Sequence, residues 1–70
     1  MELDNRGLLP PEPMVRIMAA IENLPAGEAL HVLMDRRPLP LYAILEQRGF
    51  KVETSEGENG GGVQLTITRF

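Results

Sequence analysis

The sequence predicts an α+β fold, a two-layer α/β sandwich in which one face of a mixed four-stranded sheet carries both helices. Three observations predict it. Two segments have apolar residues at helical spacing, and each is opened by prolines. A short, partly β-branched run lies between them. The last part of the chain alternates with period two on either side of a glycine-rich stretch, as a hairpin does. The resulting order is β-α-β-α-β-β.

Each element has its own signals. Leu3-Asp4-Asn5 is expected as a short first strand, leading through Arg6-Gly7 to the run Gly7-Leu8-Leu9-Pro10-Pro11-Glu12-Pro13. From Met14 onward, Met14, Val15, Ile17, Met18, Ile21 and Leu24 keep one side of a 3.6-residue helix apolar, with Arg16, Ala20 and Asn23 opposite. Proline cannot continue the hydrogen-bond ladder, so this helix is expected to stop at Asn23-Leu24-Pro25. Glu28 to Met34 reads as a strand with Leu30, Val32 and Met34 on one face and Ala29, His31 and Leu33 on the other. Asp35-Arg36-Arg37-Pro38-Leu39-Pro40 repeats the proline punctuation, and Leu41, Ile44 and Leu45 form a second helix ending at Gly49. Phe50 to Ser55 and Val63 to Thr68 are the hairpin strands, with a loose tip from Glu56 to Gly62. Beneath the helices the sequence places Leu30, Val32, Val52 and Leu65; the open face is expected to carry His31, Leu33, Lys51, Glu53, Gln64 and Thr66.

Seventy residues make a single domain, 1–70, which buries roughly 60% of its unfolded surface. The chain has no cysteine and one histidine, so packing, aided by any self-association, must hold it without disulfides or a thiolate metal site. The same absence removes persulfide, thioester and dithiol chemistry from the chain. Seven basic residues against ten acidic ones give a net charge of −3, which argues against general nucleic-acid binding. The acidic start Met1-Glu2-Leu3-Asp4-Asn5 has no apolar run behind it and no segment has the length of a membrane span. A cytoplasmic protein without membrane attachment is the expectation.

Leu3-Asp4 followed by Arg6-Gly7-Leu8, then Pro11-Glu12-Pro13 opening a helix and a Pro25-Ala26-Gly27-Glu28 turn into a strand, resembles the TusA-like and SirA-like sulfur-carrier superfamily over nearly the whole chain. In that family the helix opens with Cys-Pro-x-Pro, and the cysteine carries a persulfide at a helix amino terminus, where unpaired amides stabilise a thiolate. Here the tetrapeptide is Pro10-Pro11-Glu12-Pro13, so Pro10 holds the place of the sulfur nucleophile. The resemblance is greatest to a cysteine-less branch of unknown function, for which it implies a fold and no established activity.

No catalytic, cofactor or metal residues are assigned. For Pro10, Pro11, Glu12 and Pro13 the plainer reading is a pre-set helix start with Glu12 near the positive end; the functional one is a stiff recognition loop for a protein partner, with Asp4 and Arg6 nearby. His31 reads as a hydrogen-bonding strand histidine in preference to a metal or haem ligand. Asp35 is expected to cap the second helix, while Arg36 and Arg37 beside free helical amides would suit an oxyanion. Arg6 and Arg16 complete the candidate partner or anion contacts, since their direction decides whether a pocket for an anion exists. Ser55 lacks a base, the acids Glu53, Glu56 and Glu58 read as solvated surface, and the glycine tract lacks the partners of a phosphate loop.

The expected function is a non-catalytic protein-interaction or small-ligand-binding module. The alternative is an accessory in sulfur or redox-cofactor transfer whose chemistry a partner supplies. A third reading, nucleic-acid binding by analogy with the carboxy-terminal domain of a translation initiation factor, conflicts with the charge.

Overall fold

The computed structural model describes residues 1–57 and 62–70. Its elements follow in the order β1 (Glu2–Asp4), α1 (Glu12–Ile21), β2 (Ala29–Met34), α2 (Leu39–Gln47), β3 (Phe50–Glu56) and β4 (Val63–Arg69). The sheet order is β1-β2-β4-β3. β1 runs parallel to β2, and the other two pairings are antiparallel. The parallel pair is joined by a crossover through α1, the hairpin by a local connection, and this mixture is what makes the sheet mixed.

Register decides which residues form the core. Leu30 faces Ile67, Val32 faces Leu65 and Met34 faces Val63 across β2 and β4. These six are buried together with Ile17 and Ile21 of α1, Leu41 and Leu45 of α2, Leu24 and Phe50. Both helices therefore cover one face, and burying each large aliphatic side chain contributes about 1.5–3 kcal/mol. On the opposite face His31 lies across from Thr66 and Leu33 across from Gln64, all half-buried, with Lys51 and Glu53 exposed on β3. His31 Nδ1 sits 3.4 Å from Thr66 Oγ1 and 3.5 Å from Gln64 Nε2, the polar surroundings expected of a strand histidine.

Several expectations need correction. Asn5 lies beyond β1, and its side chain is buried. α1 ends at Ile21; Leu24 reaches the core from the turn that follows, because the chain must already bend there to enter β2. Met14 and Val15 are 37% and 55% exposed, Met14 at the cleft beside the proline loop, whereas Ala20, placed on the outer side by the sequence, packs against the core. Val52 is only half-buried because β3 is the edge strand and has a neighbour on one side alone. Asp35 does not cap α2, whose N-cap is Pro38.

At the start of β4, Gly62 has φ +87°, and a Cβ there would collide with the Met34 carbonyl oxygen, so this position requires glycine for space as well as conformation. Gly60 and Gly61, read as the hairpin tip, and Glu58 lie outside the described residues.

Candidate functional site

The chain between β1 and α1 is fastened at both ends by polar contacts. Gly7 turns it with φ +79°, a left-handed conformation that other residues adopt at a cost, and its N–H donates to Asp35 Oδ2 at 2.7 Å. This is where the Asp35 carboxylate goes instead of to α2. Before the turn, the Asn5 N–H donates to the Leu33 carbonyl at 2.9 Å, which brings the Asn5 side chain under the loop. Its Nδ2 donates to the Pro13 carbonyl at 3.2 Å and lies 3.7 Å from Met34 Sδ. Asn5 is 1% exposed, and its Oδ1 has no hydrogen-bond partner among the described residues.

Arg6 and Arg16 turn away from the proline loop. Arg6 grips Asp4 in a bidentate pair, Nε to Oδ1 at 2.9 Å and Nη2 to Oδ2 at 2.8 Å, and Arg16 Nη1 donates to the Asp4 carbonyl at 3.0 Å. The hydrogen bonds from the Arg6 side chain and backbone, helped by the nearby positive charges, hold the Asp4 carboxyl down at about 2 from an ordinary 3.8. Both guanidinium groups are thus committed to β1.

Pro10, Pro11 and Pro13 instead wall one side of a cleft of about 650 Å³. Leu8, Leu9 and Met14 continue that side; Asp35, Arg36, Arg37, Pro38, Pro40 and Leu41 form the other, with Asn5 and Met34 between. The Pro10–Pro11 peptide bond is cis. Leu9 is 81% exposed, and Leu39, between two lining prolines, is 68% exposed. The structure therefore gathers Pro10, Pro11, Pro13, Arg36 and Arg37 around one cleft, and leaves Arg6, Glu12 and Arg16 outside its lining.

Most backbone amides at the two helix starts are already engaged or absent, the Met14 N–H excepted. In α2 the Leu39 and Leu41 N–H groups donate to the Arg37 and Pro38 carbonyls at 3.1 and 2.8 Å, and Pro40 has no N–H. In α1 the Glu12 and Val15 N–H groups donate to Leu9 and Pro11 carbonyls at 3.0 and 3.1 Å, and Pro13 has none. Arg37 Nη2 meets Glu56 Oε1 at 3.0 Å on the surface. Arg36 has no hydrogen-bond or ion-pair partner among the described residues. The cleft is thus a largely apolar slot with one unengaged cation in its lining.

Two residues of consequence escape a reading of the sequence. The pattern puts Asn5 in a strand, although an Asn between a strand and a Gly-containing turn is a usable signal for a side chain that bonds backbone. Arg69 Nε donates to the Leu24 carbonyl at 2.6 Å and Nη2 to the Ile21 carbonyl at 3.4 Å, with the guanidinium 4.8 Å from the centre of the Phe50 ring. It satisfies the carboxy-terminal end of α1 from the far end of the chain. No local pattern marks it.

A small domain of this order, with both helices on one face of a mixed four-stranded sheet, is an α+β two-layer fold. The chain belongs to the family described as uncharacterized conserved protein (DUF2249), which it matches over residues 2–69. It is also similar to the crystal structure of a SirA-like protein from Desulfitobacterium hafniense, with a TM-score of 0.74 and 30% sequence identity, covering 96% of this chain and 95% of that one. The membership in a SirA-like superfamily read from the residues is thereby shown. No curated protein matches the chain. Among the described residues, no helix is long and apolar enough to cross a membrane.

Proposed function

We propose that this chain is a non-catalytic binding module whose recognition surface is the cleft between the proline loop and the start of α2, and that its occupant is an apolar segment of another protein. One observation carries the reading: the two proline-bearing segments, separate in sequence, wall the same cleft of about 650 Å³. Prolines and the Asn5, Gly7 and Asp35 contacts stiffen these walls, so little entropy is lost when a ligand is held. Leu9 and Met14 supply apolar area, and Arg36 supplies a cation for an acidic group beside it.

The chemistry of the sulfur carriers does not extend to this chain. Pro10 lies in the cleft lining at the place of the family's nucleophile, and proline has no atom able to hold sulfane sulfur. The chain on its own is expected to take up none from a persulfide donor. Bound sulfane sulfur on the purified protein would contradict the non-catalytic reading.

The binding claim is tested by affinity capture with the wild-type chain, Leu9→Glu and Glu28→Gln. A specific partner is expected on the wild type and on Glu28→Gln, and its loss on Leu9→Glu. Equal capture by all three would remove the cleft from consideration as the recognition surface.

A further inference from the structure

We propose that β3 is a self-association edge, pairing antiparallel with β3 of a second copy about a two-fold axis at Val52 so that the sheet continues across two protomers. The proposal is independent of the cleft. Phe70 N–H donates to the Gly49 carbonyl at 2.9 Å and Gly57 N–H to the Gly62 carbonyl at 2.7 Å, and both pairs lie in the register that matches Phe50 with Arg69. In an antiparallel ladder, residues of the same parity as Gly49 and Gly57 direct their N–H and C=O toward the neighbouring strand, and those between direct theirs away. Phe50, Val52, Thr54 and Glu56 therefore point their backbone groups outward from the sheet, where no hydrogen bond reaches them among the described residues.

A second β3 can meet these groups only in registers that set an outward residue opposite an outward residue. With the axis at Val52, Val52 pairs with its own copy and Phe50 with Thr54. Lys51 then lies opposite Glu53 of the second copy, and Glu53 opposite its Lys51. Within one chain these two side chains already sit side by side on the open face, with Nζ 3.1 Å from Oε1. The dimer would close them into an alternating square of two cations and two anions. Slipping the register by one allowed step in either direction sets Lys51 against Lys51 or Glu53 against Glu53, and like charges directly opposite are destabilising. Charge pattern and backbone parity thus select the same register. Scattered charges on an edge ordinarily discourage pairing; here their order is self-complementary. The half-buried Val52 would gain the apolar neighbour that an edge position denies it.

Sedimentation equilibrium on the wild type, Lys51→Glu, Glu53→Lys and the double swap tests this, with circular dichroism confirming that each variant is folded. The wild type is expected to dimerise with concentration. Each single variant sets like charges opposite and should dimerise at least about tenfold more weakly, while the double swap restores the wild-type constant. Mixing the two single variants should yield a heterodimer, because the two acids of the Lys51→Glu chain then face the two bases of the Glu53→Lys chain. A wild type that stays monomeric throughout, single variants that dimerise as strongly as the wild type, or a mixture that forms no heterodimer would each overturn the proposal.

Discussion

The two helices are opened alike and held differently. Both begin among prolines, lie on the same face of the sheet and bury two aliphatic side chains in the core. Yet α1 has in addition polar contacts from residues remote in sequence, whereas α2 is held by the strand that follows it. At α1, Asn5 reaches the Pro13 carbonyl, Arg16 reaches back to β1, and Arg69 satisfies the Ile21 and Leu24 carbonyls. At α2, Leu41 and Leu45 are buried, Tyr42 Oη lies 2.6 Å from Thr54 Oγ1, and the following strand β3 packs directly against the helix. The difference follows from connectivity. α2 leads into the hairpin strand beneath it and is positioned by its neighbours, whereas α1 crosses between parallel strands and its ends must be located by residues remote in sequence.

That contrast can be broken most strongly at the apolar anchor. Leu45→Ala removes a fully buried side chain between α2 and the sheet, and urea unfolding should show a loss of about 2–5 kcal/mol. The polar anchor is smaller: Arg69→Met keeps the stem but loses both donors, and the same measurement should give about 1–3 kcal/mol. Amide exchange should then accelerate at the end of α1 while α2 stays protected. A faster exchange in α2 to the same extent would show that the two helices are not held separately.

Asp35→Ala tests the loop clamp. It frees the Gly7 N–H and should cost about 0.5–1.5 kcal/mol, with amide shifts concentrated between Gly7 and Met14. The smallest effect is electrostatic. The folded-state Asp4 carboxyl titrates at about 2 against 3.8 ordinarily, so its stabilising pair with Arg6 is complete above the unfolded value and fades as pH falls from 3.8 toward 2. Following the Asp4 carboxyl by NMR should show that midpoint return toward 3.8 in Arg6→Ala.

Particular residues show how far the sequence can be read. Leu30, Val32 and Met34 are legible as one buried strand face because period two is a property of the chain itself. The prolines of both helix starts are legible for the same reason: their restriction is covalent. Val52 is less buried than its alternation suggests, because alternation says which face a residue takes, while burial also depends on whether a second strand lies beside it. Arg6 and Arg36 look equivalent in sequence, yet one is locked to Asp4 and the other lines the cleft. Their separation depends on how the loop leaves β1.

By itself, then, the sequence determined the order of the elements, the apolar face that each contributes, the absence of any cysteine and the stiffness of both helix starts. These follow from local periodicity and from the covalent nature of single residues. Only the tertiary structure decided that the two proline segments share a cleft, that Asp35 fastens Gly7 rather than α2, that Asn5 and Arg69 hold the ends of α1, and that β3 lies at the edge with Lys51 and Glu53 paired on its open face. Each of these depends on strand order and register, which bring together residues that no short-range pattern links.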